Sequence, residues 1–266
     1  MAEKFAAVTG ASSGIGLELA RVFAENGYDL LVNSAGPRLE GAAAELEGLG
    51  VNVQAVQADL ATAEGCDTFW NAVEATGRRL DAIAINAGVG IGGLFWETSL
   101  EEELNIVRLN CESTVHIAKH AVKKMVAQGD GRILITSSIA GEMTAPHEAV
   151  YAASKAFDLS LAKSLRYELE MHKTGVSVTA LQPGPTDTDF FNRAHMEDTK
   201  VGSEGKKENP AYDVAKMGFD ALMKGEEHVY AGNWKVVAQG SLAKFTPDSA
   251  LAAMHEKMAK PKSEAA

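Results

Sequence analysis

Residues 5–25 read FAAVTGASSGIGLELARVFAE, and this stretch decides the fold. The apolar run 5–9 predicts a strand, and the amphipathic stretch 14–25 predicts a helix. Between them lies a turn in which glycine permits tight backbone geometry and lets a pyrophosphate approach closely. The helix that follows points its unpaired N–H groups and positive dipole end at that turn. The stretch therefore predicts a phosphate-binding unit, although a tight turn between strand and helix can be glycine-rich without binding a ligand.

The same alternation of strand and helix continues to about residue 230. Further apolar runs lack period-2 alternation, as expected of strands covered on both faces: 30–33, 51–57, 82–85, 132–136 and 176–181. Helical stretches lie between them, at 39–49, 62–76, 101–126 and 150–171. Repeated strand–helix–strand units predict an α/β fold, a doubly wound parallel sheet of about seven strands with helices on both faces. No proline-rich or glycine-serine linker divides the chain, so a single domain is expected.

The composition restricts the class of protein. Of 266 residues, 46% are hydrophobic and 23% charged, as in an ordinary globular protein. The formal net charge of −11 argues against nucleic acid or an anionic membrane as a partner. No apolar run approaches the ~20 residues of a membrane-spanning helix. Cys66 and Cys111 lie far apart and no signal peptide is recognisable, which favours a reducing, cytoplasmic location.

Two segments interrupt the alternation. Residues 185–210 are polar, carry clustered charges and show no clear period. A loop of this length inside a compact domain is commonly a lid over a binding site or is disordered. The end, 259–266, is rich in charged and small residues, which predicts a flexible tail after a domain that spans 1–258.

Further motifs follow the predicted strands in chain order. They are Asn86-Ala87-Gly88 after the fourth strand, Asn110 in the next helix, Ser138 after the fifth strand, Tyr151-Ala152-Ala153-Ser154-Lys155, and Pro183-Gly184 after the sixth strand. With the Gly-x-x-x-Gly-x-Gly spacing of residues 10–16, they make the chain resemble the short-chain dehydrogenase/reductase family over nearly its whole length. The resemblance implies a Rossmann-type fold and a nicotinamide-dependent oxidoreductase acting on a ketone, an aldehyde or a secondary alcohol. Residues 229–247 resemble the broad NADPH-linked carbonyl reductase subgroup.

Tyr151 and Lys155 are four residues apart, so a helix presents them on one face. A free tyrosine has a pKa near ~10, and a neighbouring ammonium favours the phenolate and lowers that pKa. We expect Lys155 to supply part of a shift of roughly three pKa units, and the oxidised nicotinamide to supply the rest. Alone, the pair would suit an exposed helix surface. Ser138, thirteen residues upstream of the tyrosine, favours a catalytic set.

The resemblance implies a role for each member of this set. Tyr151 is expected to be the acid/base, and Ser138 to stabilise developing charge on the substrate oxygen. Lys155 is expected also to bind the nicotinamide ribose, and Asn110 to order a water that returns the proton. A helix-surface position is the alternative for Asn110. Ser137 should point away from the site, because neighbouring strand residues face opposite sides.

The resemblance also implies the residues that bind the cofactor. They are Gly10, Ser12, Ser13, Gly14, Ile15, Gly16, Ser34, Arg38, Asp59, Leu60, Asn86, Ala87, Gly88, Tyr151, Lys155, Pro183, Gly184, Thr186 and Thr188. NADP(H) is favoured because Ser34 stands where an acidic residue would bind the ribose of NAD and repel a 2′-phosphate. Arg38 lies close enough to reach such a phosphate, although it equally suits the solvent face of the next helix. Ala35 and Ser13 stand where basic residues often mark NADPH-dependent members, so NAD(H) stays possible. Asp59 equally suits a helix N-cap.

Several expectations concern partners. The substrate is a small carbonyl or alcohol compound, and Phe190 and Phe191 in the predicted lid suggest that it is apolar. A homodimer or homotetramer is implied by the resemblance, through the two long helices 101–126 and 150–171. No metal site is expected, because His116 and His120 have no carboxylate or cysteine at ligand spacing. Alternatives are a catalytically silent dinucleotide-binding sensor or scaffold, and an epimerase or dehydratase on the same fold.

Overall fold

A parallel sheet lies at the centre of the computed structural model, which describes residues 4–243 and 245–262, with the side chain of Lys206 excepted. Its strands are β1 Lys4–Thr9, β2 Tyr28–Ser34, β3 Val53–Gln57, β4 Ala82–Ile85, β5 Gly131–Thr136, β6 Val176–Pro183 and β7 His228–Ala231. They are ordered β3-β2-β1-β4-β5-β6-β7, and every neighbouring pair is parallel. The predicted doubly wound sheet of about seven strands is confirmed.

Helices connect the strands. They are α1 Gly14–Glu25, α2 Arg38–Glu47, α3 Ala63–Ala75, α4 Leu100–Ile106, α5 Ser113–Gln128, α6 Ala149–Met171, α7 Phe190–Arg193, α8 Lys200–Ser203, α9 Ala211–Lys224, α10 Trp234–Ala243 and α11 Asp248–Ala259. The predicted helix 101–126 contains a π-helical turn, Val107–Glu112, between α4 and α5. Two 3-10 turns, Ile139–Glu142 and Gly205–Glu208, complete the list. Within the described ranges, no helix has the length and hydropathy needed to span a bilayer.

Both faces of the sheet are covered, which explains why the strand sequences lack alternation. Side chains of α3, α5 and α6 pack with one face, where Phe69, Ile117 and Leu159 belong to one core cluster. Side chains of α1, α2 and α9 pack with the other face, in a second cluster that includes Phe23 and Phe219. All four residues of β4 are buried. The strand is therefore stabilised by burial of apolar side chains on both faces, and its sequence shows no alternation of apolar and polar residues.

The strand order creates a crevice between β1 and β4. The chain winds outward from β1 through β2 to β3, and then crosses to β4 and continues in the opposite direction. The turns after β1 and β4 therefore leave the sheet toward opposite faces. In open α/β sheets the space between such turns, at the carboxyl edge, is where ligands bind.

The segment 185–210 folds over this edge. It contains α7 and α8, and Phe191, Met196 and Val201 pack with Ala259 in a small apolar cluster. The last described residues continue this contact, because Thr199 and Pro261 form a β-bridge. Residues 263–266 of the predicted tail lie outside the described residues, and the flexibility of the tail and of the lid stays a prediction.

Candidate active site

A cavity of about 370 Å³ opens at the carboxyl edge of the sheet. Nearly every residue assigned to the cofactor or the reaction from the sequence lines it: Gly10, Ser12, Ser13, Gly14, Ile15, Gly16, Ser34, Asp59, Leu60, Asn86, Ala87, Gly88, Ser138, Tyr151, Lys155, Pro183, Gly184, Thr186 and Thr188. Of the predicted site residues, which all lie in the described part of the chain, Arg38 and Asn110 do not line the cavity. Parallel strands bring these distant positions together, because their carboxyl ends meet at one edge.

The glycine-rich turn packs directly on the turn after β4. A Cβ atom at Gly16 would lie 2.2 Å from the carbonyl oxygen of Gly10 and 2.4 Å from Nδ2 of Asn86. Gly10 has a φ of +69°, which non-glycine residues rarely adopt, and a Cβ there would lie 2.9 Å from Cα of Ala87. The packing leaves the amino end of α1 at the cavity wall. Such a cradle fits the pyrophosphate of a dinucleotide.

Asn86 braces the strands beneath this cradle. Its Nδ2 donates to the carbonyl of Thr9 over 3.2 Å, and its Oδ1 accepts from Oγ1 of Thr136 over 3.2 Å. Oγ1 of Thr9 in turn accepts the N–H groups of Asn86 at 2.9 Å and Ala87 at 3.0 Å. The ends of β1, β4 and β5 are thereby held together, which fixes the floor of the cavity.

The two serines after β5 point to different places. Oγ of Ser137 donates to the carbonyl of Lys155 over 2.7 Å, and its side chain anchors α6 to the sheet. Oγ of Ser138 accepts the N–H of Ala140 over 3.1 Å, and Ser138 lines the cavity together with Tyr151. The two hydroxyls therefore point in different directions, as strand alternation predicts.

Burial dominates the acidity of Tyr151. Removal from solvent raises its pKa, the carboxylates of Glu148 and Asp158 raise it further, and the hydrogen bond with Ser138 lowers it. The expectation that Lys155 and the oxidised nicotinamide together lower this pKa stays a prediction. Tyr151 and Lys155 share α6 as predicted, and the ammonium also has a carboxylate partner that the sequence analysis did not name.

That partner is Asp158, one turn farther along α6. Nζ of Lys155 donates to Oδ2 of Asp158 over 2.9 Å and to the carbonyl of Thr136 over 2.9 Å. The side chains of the pair are only 5% and 1% exposed, so water does not screen the interaction. The carboxylate therefore offsets part of the positive charge of the ammonium.

Asn110 lies behind the cavity wall and hydrogen-bonds the segments that form it. It is fully buried in the π-helical turn, where its Nδ2 donates to the carbonyl of Val89 and to Oγ of Ser154, both over 2.9 Å. Its Oδ1 accepts the N–H of Val89 over 3.0 Å, and its own carbonyl accepts Oγ1 of Thr114 over 2.6 Å. The alternative of a helix-surface position for Asn110 is therefore wrong. Its role in ordering a water stays a prediction.

A sequence model of the family described as short chain dehydrogenase matches residues 4–199. The chain belongs to the short-chain dehydrogenase family. It is therefore an oxidoreductase that uses a nicotinamide cofactor and acts between CH–OH and C=O groups.

Relatives of this short-chain dehydrogenase include named enzymes. The chain is 36% identical to oxidoreductase UcpA of Salmonella typhimurium over 182 residues, which cover 68% of each chain. It is 35% identical to 1-deoxy-11-beta-hydroxypentalenate dehydrogenase of Streptomyces exfoliatus over 234 residues, or 85% of this chain and 81% of that one. The solved structure of a short-chain dehydrogenase from Sphingobium yanoikuyae in complex with NADPH superposes with a TM-score of 0.75 at 29% identity, covering 85% of this chain and 87% of that one.

The structure places two arginines near the phosphate cradle of this short-chain dehydrogenase. Arg38, the predicted phosphate ligand, points toward α7, where its Nη1 lies 2.8 Å from Oδ2 of Asp189. Arg193, which the sequence analysis missed, lines the cavity and donates from Nη1 to Oγ of Ser13 over 3.4 Å. Burial and the charge of Arg38 lower the pKa of Arg193. No local motif could have identified Arg193, because it reaches the cradle from 180 residues away in sequence.

The opposite end of the cavity was also missed by the sequence analysis. Nε2 of His255, on α11, lies 3.1 Å from Oε2 of Glu148, which precedes α6. Nδ1 of the same imidazole lies 2.9 Å from the carbonyl of Pro146. The ring of Phe190 lies near that of Tyr151, with centroids 5.2 Å apart. This end of the cavity is thus lined by apolar side chains and by one buried polar pair, Glu148 and His255.

Two further expectations are corrected. The N-cap of α3 is Thr62, whose side chain accepts the N–H of Gly65, so Asp59 does not cap that helix. His116 does have a carboxylate partner, because folding brings Oδ1 of Asp67 to 3.0 Å from its Nε2. His120 stacks on His116, and one ligand atom from each of these three residues lies within 4.8 Å of the others. This group lies on the α3–α5 surface, apart from the cavity.

Proposed function

We propose that this short-chain dehydrogenase reduces a ketone or an aldehyde with NADPH, and oxidises the corresponding alcohol in reverse, with Tyr151 as the acid/base. The observation that carries the proposal is that Tyr151, Ser138 and Lys155 line the same cavity as the glycine-rich turn. One cavity thus combines a cradle for a dinucleotide with a proton donor and a second hydroxyl for a substrate oxygen.

When bound, the nicotinamide supplies the hydride in reduction and accepts it in oxidation. The residues of this chain manage the substrate oxygen. Ser138 donates a hydrogen bond to that oxygen and orients the carbonyl, and Tyr151 donates its proton as negative charge develops. The Lys155 ammonium, held by the carbonyl of Thr136 and by Asp158, stabilises the phenolate that remains.

The protonation state of Tyr151 suits the role of proton donor in reduction. Burial raises its pKa, so the phenol carries its proton at neutral pH, as an unperturbed phenol also does. Oxidation needs the phenolate as a base, and the same burial disfavours that form. An enzyme that consumes NADPH to reduce a carbonyl group fits this state of the tyrosine.

The preference for NADPH is supported by charge and by hydroxyl groups at the end of β2. Oγ of Ser34 and Oγ of Ser12 are 2.9 Å apart and line the cavity together with Ser13. No carboxylate occupies the position of Ser34, and the guanidinium of Arg193 lies beside Ser13. A 2′-phosphate on the adenosine ribose would find hydroxyl donors and a cation there.

An apolar substrate is supported by the residues around Tyr151. Besides Phe190, the lining includes Phe191, Met143, Val201 and Met258. These side chains come from α7, α8, α11 and the 3-10 turn after β5, so the segment 185–210 and α11 together shape the pocket. The buried Glu148–His255 pair adds one polar contact at the same end, which suits a substrate with a second oxygen.

Self-association is supported by exposed apolar side chains on the two long helices. Val107, Val115 and Phe157 are each 37% to 41% exposed. Val115 and Phe157 line one shallow depression with Cys111. A second copy of the chain would bury this surface, and we propose a homodimer or a homotetramer of such dimers. The two cysteines are free thiols, in agreement with a cytoplasmic location.

Turnover on a panel of ketones and aldehydes tests the function. We expect stoichiometric consumption of NADPH with at least one member, and loss of more than about nine-tenths of kcat in Tyr151→Phe with little change in the Kd for NADPH. Binding of NADPH without turnover on the whole panel would instead indicate a sensor or scaffold. If Tyr151→Phe keeps most of the wild-type kcat, Tyr151 is not the acid/base.

A further inference from the structure

Asp158 is a carboxylate in a place where apolar packing is expected. It lies on α6 within the core and is 1% exposed, and it makes a hydrogen-bonded ion pair with Lys155. Its second oxygen, Oδ1, is buried and has no hydrogen-bond partner among the described residues. Burying a carboxylate in this way is costly, because desolvation offsets the attraction between the charges.

A packing role does not account for this arrangement. A leucine-sized apolar residue would fill the same volume without burying a charge, and such replacements of buried ion pairs are often neutral or stabilising. The ion pair of Asp158 is with a functional atom, Nζ of Lys155, at 2.9 Å. The same atom is held by the carbonyl of Thr136, so two acceptors define its position. The geometry therefore indicates that Asp158 binds and orients Lys155, and that filling space in the core is not its main role.

We propose that Asp158 is a positioning residue whose carboxylate holds the ammonium of Lys155 and sets the pH at which Tyr151 exchanges its proton. This inference rests on the proposed role of Tyr151 as acid/base. Asp158 itself touches neither substrate nor cofactor in this account. Its influence on the reaction passes through Lys155 and through its own charge.

The charged neighbours of the pair are few among the described residues. On α6 and before it, the carboxylates of Asp158 and Glu148 both act on Tyr151, and Glu148 is paired with His255 from α11. The π-helical turn contributes Cys111, whose pKa is raised to about 11, chiefly by burial and then by Asp158. Glu112 of the same turn also acts on this thiol. The negative charge of Asp158 thus reaches both α6 and the turn that packs on it.

The sign of the effect follows from this charge. A negative group raises the pKa of every neighbouring acid, whether that acid is a phenol or an ammonium. Asp158 raises the pKa of Tyr151, and its removal should lower that pKa. The phenolate needed for alcohol oxidation would then form at lower pH.

The pH profile of kcat/KM for alcohol oxidation tests the proposal. We expect Asp158→Asn to move the midpoint of the ascending limb down by about 1 pH unit. If this variant folds too poorly to assay, Asp158→Ser removes the same charge and leaves space for a water molecule, with the same shift expected. A lower rate with an unchanged midpoint would assign Asp158 a purely structural role and overturn the proposal.

Asp29→Asn is the matched control. Asp29 is also buried and paired, with Nη1 of Arg78 at 2.7 Å, but it lies at the start of β2, on the opposite edge of the sheet. Its substitution should lower stability without moving the midpoint. Tyr151→Phe separates this inference from the proposed function. If Tyr151→Phe is inactive while Asp158→Asn keeps the wild-type profile, only the inference about Asp158 fails.

Discussion

Nε2 of His255 lies 3.1 Å from Oε2 of Glu148, and both side chains are more than nine-tenths buried. The contact joins α11 to the amino end of the helix that carries Tyr151. Because Nδ1 of His255 is held at the carbonyl of Pro146, the imidazole is fixed at both nitrogens. The last described helix is therefore fastened over the substrate end of the cavity.

Breaking this contact should affect substrate more than cofactor. We expect His255→Ala to raise KM for the carbonyl substrate several-fold and to lower the free energy of unfolding by about 3 kcal/mol, because it leaves the carboxylate of Glu148 buried without its partner. The Kd for NADPH should not change, since the phosphate cradle lies at the other end of the cavity. Steady-state kinetics and thermal unfolding measure these effects. The exposed His172→Ala is the control, and an unchanged KM in His255→Ala would contradict the expectation.

The raised pKa of Tyr151 predicts a pH dependence. A phenol donates its proton only below its pKa, and burial moves that pKa above the usual ~10. The kcat for reduction should therefore stay level through neutral and mildly alkaline pH and fall only at higher pH. Oxidation should rise over the same alkaline range, because it needs the phenolate. A reduction rate that falls between pH ~6 and ~8 would show that another group controls the reaction.

Arg193 should discriminate between the two cofactors. We expect Arg193→Ala to weaken NADPH binding by about tenfold or more, because a charge-assisted hydrogen bond to the 2′-phosphate is lost, and to leave NADH binding nearly unchanged. Fluorescence titration gives both Kd values without turnover. Arg79→Ala removes an arginine whose partners are Asp81 and Asp130, away from the cavity, and should change neither. Equal weakening of both cofactors would exclude the assignment of Arg193 to the phosphate.

Gly16→Ala should abolish cofactor binding. The added methyl would lie 2.2 Å from the carbonyl of Gly10 and 2.4 Å from Nδ2 of Asn86, so the turn after β1 must separate from the turn after β4. We expect a lower Tm and no measurable binding of NADPH by titration. Gly41→Ala is the control, because a Cβ there meets nothing within 4 Å and lies in α2. That substitution should stabilise the helix by about 0.5–1 kcal/mol.

The exposed apolar surface of α5 and α6 predicts self-association. Replacing Val115 and Phe157 together by aspartate places charge in the centre of the proposed contact, and the dimer should dissociate. Sedimentation or light scattering measures the change in mass. Tyr212→Asp is a control on α9, where the side chain is 37% exposed and remote from both helices. If the wild-type protein is monomeric at high concentration, the proposed self-association is wrong.

Local patterns were enough to predict the sheet and most of the cavity wall. The run 82–85 became β4 with unchanged bounds, and the turn at residues 10–16 and the serine after β5 reached the cavity as expected. The reason is geometric. In a parallel sheet every strand ends at the same edge, so the positions that follow the strands converge wherever the loops between them run.

The contacts of the charged groups needed the tertiary structure. Asp158 stands three residues after Lys155, a spacing visible in the sequence, but only its burial beside the ammonium makes it an ion-pair partner that water does not screen. Arg193 and His255 reach the cavity from segments far along the chain. The sequence by itself determined which residues face the carboxyl edge, because backbone periodicity is local. Only folding decided the dielectric surroundings and charge partners of those residues, because electrostatic energy depends on distance in space and on the exclusion of water.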